Sequence, residues 1–398
     1  MKANEATIRF VQLYRDQDVR ELALRGCRDK EVDLPWALDQ IQGWQTARRK
    51  LPSWAAVDGI VYPPHLSMEQ CSSEATAIYK CGILERLPQA SRESLIDLTG
   101  GFGVDFAFMA RQSARAIYVE RQVYLCETAS HNFELLGLRH ARVIHGEAED
   151  VVNHLDTRPE NTFIYLDPAR RDSNKSRTHA IADCTPNVLE LKDALLRAAH
   201  HVLIKLSPML DWRKAVNDLG DRVAEVHIVS VAGECKELLI LLDSSVHDEP
   251  TIHCVNDDQR LVFSPSQDDT LAIATLEEVA RFLYEPNASI MKAGCFGLLT
   301  QRYPVKAVAL DSHLFASNED IKDFPGRRFV VSTVTTMNKK ELSTALSGIT
   351  RANVAVRNFP MSAQELRKRL RLADGGDTYI FGTTTAAGVR VLYICKKL

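Results

Sequence analysis

Hydrophobic positions change their period along the chain. Up to about residue 90 they recur at three- and four-residue spacing, around Ile8–Leu13, Val19–Leu24 and Trp36–Ala47, which predicts amphipathic helices; a proline-punctuated connection runs from Leu51 to Pro64. After it come short apolar runs in order: SLIDL, AIYVE, ARVIHG, TFIYLD, HVLIKLS, VAEVHIVSV and KELLILLD. The first five are separated by helix-like segments, the alternation of a parallel sheet covered on both faces. Only Ala232, Gly233, Glu234 and Cys235 separate Val231 from Lys236. That is too short for a helical crossover, so the last two runs are expected to form an antiparallel hairpin.

Beyond Asp243 the polar stretch SSVHDEPTIHCVNDDQ reads as a linker or surface hairpin. TLEEVARFLYE then reads as a helix opening a mixed α+β region that continues to Leu398. A chain of 398 residues exceeds one ordinary core. The pattern divides it into a helical module over 1–90, an α/β domain over 91–245, a linker and α+β region over 246–320, and an α+β domain over 321–398.

Composition narrows the class. With 45% apolar and 25% charged residues the chain is an ordinary globular protein. The start MKANEATIRFVQLYRDQ lacks the apolar core of a signal peptide and no run approaches the roughly 18 apolar residues of a span, so a cytoplasmic protein with no membrane contact is expected. Nine cysteines without a CxxC pair, and twelve histidines without HExxH, read as buried thiols and no metal site. A net charge of −3 excludes a protein basic throughout, but residues 321–398 carry 14 Lys/Arg against 5 Asp/Glu. That local excess is able to attract nucleic acid.

In LIDLTGGFGVD an apolar strand ends at Asp97 and turns through Thr99, Gly100, Gly101, Phe102 and Gly103 into a helix. Glycines there allow a tight turn and a close ligand approach, while the helix N-terminus offers free N–H groups. The dinucleotide fingerprint GxGxxG would need glycine at 106, where this chain has Phe106. One βαβ step later AIYVE ends in Glu120, placed to accept hydrogen bonds from ribose hydroxyls. Each feature alone also fits a plain turn or a helix-start acid.

Five parallel βα units closed by an antiparallel hairpin strand resemble the seven-stranded Rossmann-like sheet of class I methyltransferases, over roughly residues 65–245. The resemblance implies S-adenosylmethionine as cofactor, held by Asp97 through Gly103 and Glu120, with Glu147 and Ala148 at the adenine. The segment HLSMEQCSSEATAIYKCGIL resembles the piece that closes over the methionine end, where Glu74 and Lys80 would meet the ammonium and carboxylate. YLDPARR resembles the Asp-Pro motif of enzymes that methylate base amines, so Asp167 and the Pro168 carbonyl would accept from an NH2 group. Arg170 stands where an aromatic residue is usual, and Arg170 or Arg171 would stack on a base or hold a phosphate. LIKLSPMLDW lacks the cysteine that uridine C5 methylation requires.

YEPNASIMKAG, VALDSHLFAS and LRKRLRLADGGDTYIFGTT resemble the tail of bacterial class I methyltransferases that carry a ferredoxin-like piece and a THUMP-like domain. This implies RNA as partner, with Arg367, Lys368, Arg369 and Arg371 as candidate contacts; a solvated helix face is the alternative. The expected activity is methyl transfer to a base nitrogen in RNA. Two rivals stay open: methylation of a protein amide or amine, and an RNA-binding module that keeps the cofactor only as a structural ligand.

Overall fold

The computed structural model describes residues 3–170, 180–267, 270–275 and 280–398. The chain forms two compact units, Met1–Val226 with Glu237–Asp248, and His227–Lys236 with Glu249–Leu398. Among the described residues no helix is long and apolar enough to cross a membrane.

The first unit opens with helices α1 (Glu5–Tyr14), α2 (Val19–Arg25) and α3 (Leu34–Lys50). Asn4, Asp18 and Asp33 each cap one of them by accepting a backbone N–H. Their apolar stripes meet at Phe10, Leu22, Ala37 and Ile41. A further helix, α4 (Glu74–Arg86), leads into the sheet.

Each apolar run forms a strand: β1 (Ser94–Asp97), β2 (Arg115–Glu120), β3 (Ala141–His145), β4 (Thr162–Leu166), β5 (His201–Leu206), β6 (Val223–Val231) and β7 (Glu234–Asp243). Their lateral order is 3-2-1-4-5-7-6, with β1 to β5 parallel and β7 antiparallel to β5. Strand β4 is buried at every position, the pattern of a parallel-sheet interior. Ala232 and Gly233 join β6 to β7 with φ of 51° and 77°, the left-handed pair that suits a two-residue hairpin. Helices α5 (Val104–Met109), α6 (Val123–Leu135), α7 (Val188–Ala198) and α8 (Trp212–Leu219) occupy the crossovers.

The helical module is tied to the sheet by amide side chains that stand in for a backbone ladder. Gln40 of α3 donates to the Tyr62 carbonyl at 2.9 Å and accepts from its N–H at 2.8 Å. Asn132 of α6 does the same for Val61, at 2.8 and 2.9 Å. Both side chains are buried, so two adjacent peptide units without a strand partner are satisfied from opposite neighbours. Phe102 packs on Trp54 at 4.9 Å between ring centroids and lies near Tyr62 at 6.3 Å.

In the second unit the tip of the β6–β7 hairpin is followed by β8 (Thr251–Asn256) and β9 (Gln259–Phe263), an antiparallel pair turned through Asp257 at φ 54°; β8 lies next to β6, so the pair adds two strands to the seven expected of the sheet. Then come β10 (Phe282–Pro286), β11 (Phe315–Ser317), β12 (Gly326–Thr336), β13 (Arg351–Arg357), β14 (Ala373–Thr384) and β15 (Arg390–Lys397). They form a sheet ordered 11-10-12-15-14-13, edged beside β11 by the two-residue strand Lys306–Ala307. Only the β13–β14 pair is parallel, and the helix α9 (Ala363–Leu370) makes its crossover. The helix expected over 275–285 is corrected at its C-terminal half. Phe282–Pro286 is a strand between β11 and β12, where cross-strand burial of Leu283 and Tyr284 overrides the helical spacing; residues 276–279 lie outside the described part.

Asn132→Ala should lower stability by about 2 kcal/mol, because it leaves a part-buried donor and a part-buried acceptor of Val61 unmatched. Urea unfolding of the variant against the parent protein measures this.

Candidate active site

The turn after β1 is built by close packing as much as by ligand approach. A Cβ on Gly100 would sit 2.1 Å from the Tyr118 ring, and one on Gly103 2.8 Å from Phe133, so these glycines are imposed by neighbouring aromatic rings. Gly101 differs: at φ +58° its nearest neighbour would be the Thr99 carbonyl at 3.8 Å, and the space beyond is open. Its N–H donates to Glu120 Oε2 at 2.9 Å, and the Gln122 N–H donates to Oε1 at 2.9 Å. Each carboxylate oxygen retains a lone pair for a ribose hydroxyl. Asp97 is buried, with Oδ1 accepting the Thr99 N–H at 2.9 Å. Burial pushes its carboxyl well above the ordinary range, and the negative charges of Asp105, Asp167 and Glu120 push the same way.

Thr99, which replaces the glycine frequent at that position, joins this turn to the next strand end. Its hydroxyl accepts the Asp167 N–H at 2.6 Å and lies 3.5 Å from Asp97 Oδ1. Asp167 follows β4, with Oδ2 accepting from the Lys205 ammonium of β5 at 2.6 Å. Lys205 also donates to Ser72 Oγ at 3.1 Å and stands 4.0 Å from Asp105.

Behind Lys205 lies a second ammonium, Lys80 of α4, with no exposed surface. It bonds Glu237 of β7 through a short contact, Asp105 of α5 at 3.2 Å and Ser72 at 3.1 Å. Ser72 and Tyr165 both donate to Asp105 Oδ2, at 2.7 and 2.6 Å. Burial works to raise Asp105, but Lys80, Lys205 and the two hydroxyls outweigh it and hold the carboxyl below its ordinary value. Burial raises Asp167, with Lys205 partly opposing. Burial would lower Lys205, yet Asp167, Glu237 and Asp105 raise it, so the ammonium stays protonated at any physiological pH.

The other expected site residues fall in varied places. Glu74 accepts from Ser53 N and Oγ, both at 2.9 Å, and Lys80 sits inside the ion cluster, so both have partners within the protein. Phe102 turns its ring to Trp54. Glu147 is exposed and precedes the short helix Ala148–Val152, whose first residue is buried. Pro168 is buried beside Asp167, and Ala169–Arg170 pairs with Cys184–Thr185; Arg171 lies outside the described residues. In the second unit Arg367 is paired with Asp374 at 2.5 Å, Lys368 and Arg369 are exposed on α9, and Arg371 ends that helix in the left-handed region. Ser72, Asp105, Glu237 and the part played by Lys205 were not anticipated. Their only trace in the sequence is a charged or polar residue placed within apolar runs, as in LIKLS and KELLILLD.

Strand order, the glycine turn after β1 and an acid at the end of β2 define the class: a Rossmann-like methyltransferase, with an α+β C-terminal part. Residues 282–325 match a model of a ferredoxin-like domain, and residues 326–397 match a model described as THUMP domain-like. A solved structure of a methyltransferase candidate from Porphyromonas gingivalis W83 is 31% identical, over 98% of this chain and 97% of that one, with a TM-score of 0.85. This chain belongs to the same methyltransferase family. An rRNA methylase from Streptococcus thermophilus is 15% identical over 42% of this chain and 93% of its own, with a TM-score of 0.31. An O-methyltransferase candidate from Klebsiella pneumoniae is 11% identical over 44% and 83%, at 0.34. Those two likenesses are slight and say nothing of this chain's acceptor. No curated relative matches the sequence.

Lys80→Met should cost about 3–5 kcal/mol, since it leaves Asp105 and Glu237 buried without their cation. Glu74→Ala, which removes the half-buried acceptor of the Ser53 N–H and hydroxyl, should cost about 1 kcal/mol. Chemical denaturation of the two variants side by side checks the contrast.

Proposed function

We propose that this methyltransferase takes its methyl group from S-adenosylmethionine and delivers it to RNA at Asp167. The observation that carries the reading is the open face of Gly101, flanked by Asp97 and Glu120 and joined through Thr99 to Asp167. Asp97 is a buried carboxyl, pushed further up by the charges of Asp105, Asp167 and Glu120, so the ammonium of a ligand at the turn would suit it. The amino acid end of adenosylmethionine carries an ammonium that suits it, Glu120 suits the ribose, and the Ala148 backbone suits the adenine. When bound, the cofactor supplies an activated methyl on sulfur; the protein's share is alignment and exclusion of water. Asp167 is the hydrogen-bond acceptor at that position, for an amine as the Asp-Pro resemblance implies or for a hydroxyl; one of its two oxygens is already engaged by Lys205. RNA is supported by the THUMP-like match and by exposed Lys368 and Arg369.

Gly101→Arg should abolish adenosylmethionine binding, and Glu120→Ala should weaken it by about 1–3 kcal/mol. Isothermal calorimetry returning the parent affinity for both variants would reject the cofactor site.

For the RNA part, neutralising Lys368, Arg369 and Arg371 together should weaken binding to unfractionated RNA. The salt slope should flatten by up to about 0.7–0.9 per lost phosphate contact. Arg367, committed to Asp374, should contribute less. Filter binding at several salt concentrations gives the slope; a slope equal to the parent's removes these residues from the interface.

A further inference from the structure

Asp167 is not the only group at the acceptor position. Among the five charged residues of the cluster it has the most exposed side chain, at 38%; Lys205 follows at 11%, and Lys80, Asp105 and Glu237 lie between 0% and 9%. An acceptor that reaches Asp167 therefore comes close to the Lys205 ammonium, 2.6 Å from that carboxylate and itself partly exposed. The buried residues are arranged to keep that ammonium charged and still. Ser72 is shared by both lysines, Asp105 flanks Lys205, and Lys80 bridges Asp105 and Glu237.

The sign of the charge discriminates between acceptors. A nitrogen gains positive charge as it takes a methyl group, so a fixed cation beside it opposes the reaction. An oxygen losing its proton gains negative charge, which a fixed cation favours. An amine also needs nothing beyond hydrogen-bond acceptors to aim its lone pair, whereas a ribose hydroxyl is a poor nucleophile until its proton is taken. Within an RNA chain the sugar offers one free hydroxyl, at the 2′ position. Resting on the RNA reading above, the geometry points to the 2′-hydroxyl of a ribose as the acceptor, with Asp167 taking its proton and Lys205 stabilising the developing oxyanion. The oxygen–carbon bond forms as the sulfur–carbon bond breaks, and sulfur keeps the pair of the broken bond. The hydroxyl proton passes to Asp167 and from its exposed side to water. Lys205 stays protonated throughout, so it acts as a fixed charge and Asp167 is the base.

The product decides. RNA from cells lacking the gene is incubated with the protein and methyl-tritiated adenosylmethionine, then hydrolysed in alkali. A 2′-O-methyl group blocks cleavage at its own linkage, so label should appear in alkali-resistant dinucleotides. Label in mononucleotides, as a methylated base, overturns the inference and leaves RNA methylation standing; absence of label from RNA overturns both.

A second measurement does not depend on turnover. The groups facing Asp167 are Lys205 of β5, Asp105 of α5, Lys80 of α4, Asp97 of β1 and Tyr165 of its own strand, with Glu237 behind Lys205. Removing the nearest cation should raise the Asp167 titration in Lys205→Met, read by carboxyl carbon NMR with Asp167→Asn for assignment. Lys205→Arg should keep it near the parent's. Transfer by Lys205→Met should fall about 10²–10³-fold, the scale of losing one oxyanion partner, and its acid limb should move to higher pH. An Asp167 titration indifferent to Lys205→Met overturns the role given to the lysine.

Discussion

The first unit is organised around a lysine that has no contact with water. Burying the Lys80 ammonium carries a desolvation cost of several kcal/mol, which only close and well-placed carboxylates offset. Those carboxylates come from Asp105 on α5 and Glu237 on β7, while Lys80 itself is on α4. One ion therefore sets the positions of three elements against each other, and Ser72 extends the setting to Lys205 and Asp167. Replacing such a cluster by apolar residues is often neutral for stability. Its place beside the proposed acceptor position is consistent with use of its charge, with the buried members holding Lys205 and Lys205 bonded to Asp167.

The turn proposed to receive the cofactor and the strand end proposed to receive the acceptor share one hydroxyl. Thr99 bonds Asp97 through its N–H and Asp167 through its side chain. A glycine at that position would keep the turn and lose the link. The exchange is therefore informative rather than merely tolerated: it couples two loops that adjoining strands would otherwise present independently. The glycines beside it follow a different logic, since Gly100 and Gly103 make room for Tyr118 and Phe133, and Gly101 is the one with open space beyond it.

Much of the architecture is legible in the sequence because strand periodicity and loop length are local properties. The seven apolar runs of the first sheet, the two-residue hairpin after Val231 and the three N-terminal helices each announce themselves within about ten residues. The stretch ending at Glu285 misleads because its spacing suits a helix while its fate is decided by β11 and β12, the latter more than forty residues away. The site divides in the same way. Asp97, Glu120 and Asp167 are visible as acids at the ends of β1, β2 and β4. The ion cluster is not, because Lys80 and Glu237 are 157 positions apart and Ser72 and Lys205 are 133 apart. A lysine inside an apolar strand hints at a buried partner without saying which.

The separation between Lys80 and Glu237 has a consequence for how the chain reaches its native state. During synthesis α4 emerges long before β7, and until β7 arrives its lysine is better solvated by water than by an incomplete cluster. The helical module and the first five strands can collapse around their apolar faces, but this helix position stays wet. The cluster closes only once β7 is present, because Glu237 supplies the second carboxylate to the ammonium. A chain that ends before residue 237 lacks one of the two carboxylates that offset the burial of Lys80.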